Sequence, residues 1–361
     1  MNKIYNIYLK NDLDSFEKVS NFLNNEFGNS RTFDFWSKEM FIWKILSNNP
    51  AGDGYLAYAE SEGKVIGTAA IVKKRIIFDN VLSIAFEIGE TYTHPNFRKN
   101  IFSKEPFKNI NDPNHYLNKS IFGRLVEELK IKANEEEIDF IYGTPNQNSI
   151  KGYLKHLNFF ELKSYSNISM SYFDFIGFLK RKKYNILFKV FSSYNSLPKS
   201  NNFRISREFP EQGLDDLWNR TKPVKGFSLV RDAQYWDHRF LQKPKSNYSF
   251  FSFYYKNSLE GIIVIRVENV LKFKTLHIVE WMSTKKIGFS KMINILKQEY
   301  KNDQIEKYYI WTQRFSKNFF ILLLKGFIPT HKIPIIFLNT KKTKKLKNNK
   351  FIFFLGSSDV I

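Results

Sequence analysis

The stretch that decides the fold lies between residues 85 and 160. It opens with AFEIGETYT at residues 85–93, a run that predicts a strand ending at His94-Pro95. From residue 119 to residue 135 apolar residues recur at helical spacing, which predicts an amphipathic helix. IDFIYG at residues 138–143 predicts a second strand, and residues 149–157 predict a short second helix. A strand, a loop and a helix N-terminus together form an arrangement that binds phosphate, because free backbone N–H groups and the positive helix end face the anion.

Three blocks of this stretch carry a more specific pattern. They are YTHPNFRKNIF at residues 92–102, NKSIFGRL at residues 118–125, and YGTPNQNS at residues 142–149, which is followed by Tyr153 and by Asn158-Phe159. The blocks resemble the GNAT superfamily of acyl-coenzyme A N-acyltransferases. In that superfamily a strand carrying THP or VHP leads to a glycine-rich pyrophosphate loop and a helix, and a later strand ends in a PN…S…Y run. The expected pair of loop glycines is missing here, and only Gly123 is present.

The resemblance implies where the acyl-coenzyme A, best represented by acetyl-CoA, would bind. Its thioester and pantetheine arm would contact the first strand and the PN…S block, and its pyrophosphate would lie at the start of the helix. The implied cofactor-binding residues are Thr91, Tyr92, Thr93, Arg98, Asn118, Lys119, Ser120, Ile121, Phe122, Gly123, Asn146 and Ser149. Asn146 and Ser149 are also residue types that cap helices.

Two residues are candidates for catalysis. An amine must lose its proton before it attacks a thioester, so the site needs a proton acceptor and a donor near the leaving thiolate. Tyr153 occupies the position of the family's thiolate-protonating tyrosine, although a tyrosine packed on the sheet would look the same. Glu90 could accept the amine proton, directly or through water. Its rival is Glu87, and strand alternation predicts that the two carboxylates lie on opposite faces of the sheet.

Around this stretch the chain reads as a duplication. Two helices, near residues 15–25 and 33–46, precede a predicted hairpin of strands at 55–59 and 65–77, and residues 103–116 read as an inserted loop. The run around Trp43 returns around Trp236, and the run around Gly67 returns around Gly261, both at a separation of about 193 residues. The second copy lacks a recognisable cofactor loop.

We therefore predict an α/β chain, with mixed α+β sheets, built from two tandem GNAT-like domains. Residues 1–172 would form the catalytic domain, residues 173–204 a basic helical linker, and residues 205–361 a degenerate second domain that shapes the acceptor pocket. Residues 173–194 combine lysines and arginines with apolar residues. They favour either a helix packed between the domains or a peripheral membrane contact.

The composition of the chain limits which binding partners and which cellular compartment we expect. The formal charge is +21, which has three readings: a compositional bias of the source, a basic surface for an anionic cofactor or membrane, or nucleic-acid binding. No DNA-binding motif is present, so we expect no DNA partner. There is no cysteine, signal peptide or long apolar run, which favours the cytoplasm. The six histidines form no metal-binding pattern, so we expect no metal.

Together these patterns predict an N-acyltransferase that moves an acetyl group from acetyl-CoA to a small-molecule primary amine. The resemblance to a two-unit group associated with bacterial surface-polysaccharide synthesis makes an amino sugar or nucleotide-linked amino sugar the favoured acceptor. Two alternatives remain open: a Fem-type transferase that uses aminoacyl-tRNA, which the positive charge would suit, and a binding protein that has kept the fold without turnover.

Overall fold

The computed structural model describes residues 5–27, 36–46, 48–98, 120–162, 167–173, 203–270, 273–301, 303–340 and 351–352. Within these residues the chain forms two mixed sheets covered by helices, which confirms the predicted α/β class. No helix in the described ranges is long and apolar enough to cross a membrane. The predicted basic helix at 173–194 lies outside the described residues apart from Phe173, and so does the inserted loop at 103–116.

The first half begins with a strand and two helical segments. The second of these is a short α-helix that continues into a π-helical turn at Ile42–Leu46. A 3-10 turn at Pro95–Phe97 follows the fourth strand. The elements are β1 (Asn6–Lys10), α1 (Leu13–Phe27), α2 (Lys38–Phe41), β2 (Tyr55–Ser61), β3 (Lys64–Phe78), β4 (Val81–Thr93), α3 (Ile121–Glu135), β5 (Phe140–Gly143), α4 (Ile150–His156), β6 (Phe160–Glu161) and β7 (Asn167–Phe173).

The second half repeats this order. Its π-helical turn at Asp237–Leu241 again continues a short α-helix. The elements are β8 (Phe203–Ser206), α5 (Leu214–Thr221), β9 (Phe227–Leu229), α6 (Ala233–Trp236), β10 (Ser249–Tyr255), β11 (Ser258–Val270), β12 (Phe273–Ser283), α7 (Phe289–Glu299), β13 (Lys307–Gln313), α8 (Lys317–Leu324), β14 (Ile328–Ile333), β15 (Ile336–Asn339) and β16 (Phe351–Ile352).

Each half contributes to the sheet of the other: the first half gives β7 to the second sheet, and the second half gives β9, β15 and β16 to the first. The first sheet has the order β1-β2-β3-β4-β5-β15-β6, with β9 and β16 attached beside β3. The second has the order β14-β7-β13-β12-β11-β10-β8. Thus β15, from the end of the chain, lies between two strands of the first half, and β7 lies between two strands of the second half. The predicted domain boundary at residue 172 falls inside β7, and the division of the chain into domains stays a prediction.

Both halves press a helix against a glycine of the central hairpin. A Cβ at Gly67 would lie 2.8 Å from Ile121 on α3, and a Cβ at Gly261 would lie 2.8 Å from Met292 on α7. Only glycine lets the helix backbone approach this closely. The helix faces that pack here are apolar, with Leu125 and Leu296 fully buried. This repeated close approach is the physical form of the duplication that the sequence indicated.

The helical segments give the offset of the repeat. The segments α2 and α6, with their π-helical turns, correspond at a separation of 195 positions, so Trp43 is equivalent to His238 and not to Trp236. The sequence predicts an offset of about 193 positions, because the two tryptophans, Trp43 and Trp236, were aligned with each other. In the structure Trp236 is fully buried in the core beside α5.

Candidate functional site

The site lies where β4 and β5 diverge. These two parallel strands pair only from Ala85–Glu87 to Phe140–Tyr142. Beyond that point Gly143 faces Ile88, and a Cβ on Gly143 would lie 2.9 Å from the Ile88 carbonyl oxygen. A cavity of about 320 Å³ opens between the separated strands, and Ile336 of β15 contributes to its wall. The second half of the chain therefore completes the cavity of the first.

A β-bulge in β4 sets which side chains enter this cavity. The pairing of β3 with β4 shifts between Thr68 and Ala70, and Glu90 has a φ of 48°. The extra residue breaks the alternation of the strand. Glu87 and Glu90 consequently both line the cavity. The prediction that they lie on opposite faces is wrong, because alternation holds only in a regular strand.

Glu90 is held by two donors from the segment after α1. The Lys44 ammonium forms an ion pair with Glu90 Oε1, and Trp36 Nε1 donates to Oε2 at 2.8 Å. Both partners are largely buried and line the same cavity. The carboxylate is thus oriented by fixed groups, and it faces the side of the sheet that α1 and α2 cover.

Tyr153 lies on the other side of β4. Its hydroxyl is 2.8 Å from Thr91 Oγ1, and its ring packs edge-on against Phe122 and Phe159. The side chain is 2% exposed and lines the cavity. Burial raises the pKa of the Tyr153 hydroxyl well above its usual range, and the bond with Thr91 only partly opposes that rise. The hydroxyl therefore stays protonated at neutral pH and can donate a proton.

The start of α3 carries the next group of predicted cofactor residues. Ser120 is its N-cap, and Ser120 Oγ accepts a hydrogen bond from the N–H of Gly123 at 3.2 Å. The Ile121 side chain is buried in the core, and Phe122 packs on Tyr153. The described residues at the start of α3, 120–123, do not line the cavity. The predicted residues Asn118 and Lys119 lie outside the described residues.

Asn146 organises the turn before α4. Its Oδ1 accepts hydrogen bonds from the N–H of Asn148 at 2.9 Å and of Ser149 at 3.0 Å. Ser149 has helical dihedral angles and no capping bond of its own. Asn146 thus performs the capping that the sequence assigned to either residue. Both residues line the cavity.

The predicted residues at the end of β4 lie on both sides of the sheet. Thr91 contacts Tyr153, whereas Tyr92 and Arg98 lie on the side of α1. Tyr92 donates to Glu26 of α1 at 2.7 Å, which together with burial raises the pKa of Tyr92 to about 12. Arg98 donates from Nε to the Thr93 carbonyl at 2.9 Å and stacks over the Tyr92 ring. His94 accepts a hydrogen bond from the N–H of Asn96 at its Nδ1 and so caps the following 3-10 turn. Arg98 is thereby tied to the strand end.

The second half has a closed counterpart of this site. Glu280 lies on the bulge of β12, where pairing with β11 shifts. It is fully buried, with Arg231 Nη1 at 3.4 Å and the Tyr235 hydroxyl donating at 2.8 Å. Burial raises the pKa of Glu280, and Arg231, Tyr235 and Arg239 oppose that rise. Arg231 and Arg239 stand at the repeat positions of Trp36 and Lys44.

The second half also differs from the first on the other side of β12. Trp281 stacks on Phe289, the first residue of α7, with ring centroids 4.3 Å apart. The helix α8, which corresponds to α4, contains no tyrosine. At these positions the second half therefore has no open cavity that presents both a carboxylate and a tyrosine hydroxyl.

Sequence reasoning missed three residues of the site: Trp36, Lys44 and Ile336. The first two belong to the segment 33–46, which is rich in phenylalanine and tryptophan and which the sequence predicts only as a second helix. An isolated tryptophan and lysine in such a segment give no signal until the bulge brings Glu90 to them. Among the described residues, no group of three or more histidine, aspartate or glutamate side chains could hold a metal ion.

Comparisons with known proteins agree with this architecture. No family model and no curated protein matches the sequence. A probable N-acyltransferase from Enterococcus faecalis V583, a conserved protein of unknown function, superposes with a TM-score of 0.60 at 11% identity, over 93% of this chain and 73% of its own. A GCN5-related N-acetyltransferase from Anabaena variabilis gives a TM-score of 0.60 at 12% identity, over 93% of this chain and 73% of its own.

A third similar structure has the same two-unit plan. It is a tandem GNAT protein from the clavulanic acid biosynthesis pathway, with a TM-score of 0.58 at 9% identity, over 94% of this chain and 100% of its own. At these identities the likeness concerns the fold. The predicted fold, two mixed α/β units matching tandem GNAT structures, is therefore confirmed.

Proposed function

We propose that this chain transfers an acetyl group from acetyl-CoA to a primary amine. One observation carries the proposal: a single cavity opens between β4 and β5, with the Glu90 carboxylate on one side and the protonated Tyr153 hydroxyl on the other. Amide formation from a thioester needs a proton acceptor near the amine and a proton donor near the sulfur. The cavity offers both, on opposite sides of the same strand.

The residues divide the reaction between them. Glu90, directly or through water, accepts a proton from the incoming ammonium, and Lys44 and Trp36 keep its carboxylate in place. The neutral amine attacks the thioester carbon, the C–N bond forms, the C–S bond breaks, and the nitrogen releases its second proton to water. Tyr153 gives its proton to the departing thiolate and regains one from water. No covalent intermediate on the enzyme is needed, so the lack of cysteine is compatible with this chemistry.

The acetyl-CoA would enter from the side of α3 and α4. Its pyrophosphate would meet the N-terminus of α3, where Ser120 and Gly123 define the first turn, since helix N-termini attract anions. Its pantetheine arm would follow the cavity past Asn146 and Ser149. The pantetheine assignment is supported by the cavity lining, and the pyrophosphate assignment rests on the resemblance.

The acceptor would enter from the side of α1 and α2. Phe27 and Trp36 give that wall an aromatic surface, and Glu87 and Glu90 give it two carboxylates. An amino sugar combines an apolar ring face with hydroxyl and ammonium groups, and these groups complement aromatic rings and carboxylates. We keep an amino sugar, free or nucleotide-linked, as the favoured acceptor class, and the cytoplasm as the favoured compartment.

Calorimetric titration with acetyl-CoA tests the proposal, at moderate salt to suppress non-specific attraction to the basic chain. We expect saturable one-site binding that is weakened by Asn146→Ala and kept by Asn219→Ala, a matched change at an exposed position of α5. Thiol release with a panel of amines then identifies the acceptor. Salt-sensitive tRNA binding without acetyl-CoA binding would favour the Fem-type reading. Acetyl-CoA binding without turnover of any amine would favour a binding protein.

A further inference from the structure

The helix α8 is apolar on both of its faces. Its inner residues Phe319 and Leu322 pack in the core of the second half. Its outer face, with the preceding turn and the start of β14, exposes large apolar side chains. This group, named here the α8 patch, consists of Phe315 (63% exposed), Phe320 (51%), Leu323 (37%), Leu324 (88%) and Ile328 (62%).

Such a surface is unusual for a helix at the edge of a domain. Surface helices of globular proteins normally carry polar residues opposite the buried stripe. Here the solvent side of α8 repeats Phe320, Leu323 and Leu324 on adjacent turns, and the core-facing side is already filled. Contiguous exposed apolar groups mark interaction surfaces.

The segment that carries the α8 patch is positively charged. Residues 307–333, which form β13, α8 and β14, contain five lysines and arginines and no aspartate or glutamate. The exposed Arg314 lies over the Phe315 ring at 4.6 Å, and Lys317 is exposed one turn before Phe320. Lys332 is paired with Glu161, so it adds little. Arg314 and Lys317 are therefore the cations that border the patch.

We propose that the α8 patch docks on an anionic lipid bilayer. Phenylalanine and leucine side chains would enter the interface between headgroups and acyl chains, and Arg314 and Lys317 would contact the lipid phosphates. A second copy of the chain fits less well. Two such patches packed face to face would bring Arg314 and Lys317 of both copies together, with no carboxylate in residues 307–333 to offset them. None of the residues of the α8 patch lines the cavity between β4 and β5.

Co-sedimentation with vesicles tests the proposal. The wild-type chain should bind vesicles of phosphatidylcholine mixed with phosphatidylglycerol, and bind phosphatidylcholine alone much more weakly. The double variant Phe320→Ser/Leu324→Ser should lower the partition coefficient at least about tenfold, because two apolar side chains leave the interface. The variant Arg314→Glu/Lys317→Glu should lower it at least about tenfold as well, and only for the anionic vesicles.

Leu82→Ser provides the matched control, since Leu82 is 65% exposed on the β3–β4 hairpin and remote in sequence from α8. It should leave vesicle binding unchanged. Both apolar variants alter exposed side chains, so their thermal unfolding should match that of the wild type. Equal binding by all variants, no binding to anionic vesicles, or a concentration-dependent dimer that Phe320→Ser/Leu324→Ser abolishes would each overturn the proposal.

Discussion

Trp43 and His238 hold each other's backbone across the junction of the two halves. Trp43 Nε1 donates to the His238 carbonyl at 2.8 Å, His238 Nε2 lies 3.2 Å from the Trp43 carbonyl, and the two rings stack with centroids 5.4 Å apart. The residues are 195 positions apart and occupy equivalent places in the repeat. A residue that contacts its own counterpart reciprocally lies on an approximate two-fold axis, so the halves are related by a half-turn about this pair.

Trp43→Phe should lower the free energy of unfolding by about 1–3 kcal/mol, because it leaves the buried His238 carbonyl without its donor. Urea denaturation measures this. In a double-mutant cycle with His238→Ala, the two losses should not add, since both changes remove one reciprocal contact. Additive losses would show that the two side chains act independently.

Glu90→Gln should lower kcat/KM for amine acetylation by about 10²-fold or more and leave acetyl-CoA affinity nearly unchanged, because the amide keeps the shape but not the basicity. Thiol-release kinetics and calorimetry give the two quantities. Glu87→Gln is the control, since Glu87 lines the same cavity. If the Glu87 variant loses activity and the Glu90 variant keeps it, the assignment of the base is wrong.

Tyr153→Phe should reduce kcat with little change in the KM for acetyl-CoA, because it removes only the hydroxyl that contacts Thr91 at 2.8 Å. The buried hydroxyl has a raised pKa, so the wild-type enzyme should show no loss of this proton donor below pH 10 in the pH profile of kcat. The dependence of kcat on the acidity of the departing thiol provides a further readout. A variant with unchanged kcat would make Tyr153 a packing residue.

Glu280→Gln should destabilise the chain by about 3–5 kcal/mol, because it leaves Arg231 buried without its charged partner. Unfolding in urea measures the loss. Under conditions where the variant is folded, its kcat should equal that of the wild type, since Glu280 is sealed from solvent. A folded variant with normal stability and lost activity would instead give the second half a catalytic role.

Stability should fall as the pH rises above about 10. The pKa of Tyr55 and of Tyr92 is raised from 10.0 to about 12 by burial and by bonds to Glu136 and Glu26. Between pH 10 and 12 the unfolded chain loses these protons and the folded chain keeps them, so the unfolded state gains stability. Urea midpoints at pH 9, 10 and 11 measure the slope. Tyr55→Phe should flatten it, and a slope equal to that of the wild type would contradict this origin.

The local pattern of the chain could be predicted, and two long-range features could not. Apolar spacing gave the helix at 121–135, and Pro145-Asn146 gave the turn before α4, because helical periodicity and capping are encoded within a few residues. The bulge at Glu90 escaped prediction because an extra residue in a strand leaves no mark in the alternation of a short segment. Without the bulge, the pairing of Glu90 with Lys44 and Trp36 could not be predicted.

The exchanged strands were missed for a different reason. Both strands are short, and neither the apolar run of β15 nor the alternating pattern of β7 specifies a pairing partner. Pairing partners are decided by the three-dimensional path of the chain, which places β15 beside β5 and β7 beside β13. The repeat favoured a simple division into two tandem domains, because each half carries nearly all the helices and strands of one unit in the same order.

The exchange of β7 and β15 makes the first sheet depend on a strand that comes after β8–β14 in the chain. During translation the first sheet has a gap between β5 and β6 until Ile336–Asn339 has emerged, and until then Ile336 is missing from the cavity wall. A gene divided between β7 and β8 would yield two fragments that each carry a strand belonging to the other. Such fragments would have to be made together, as complementing partners, and neither would contain the whole cavity wall by itself.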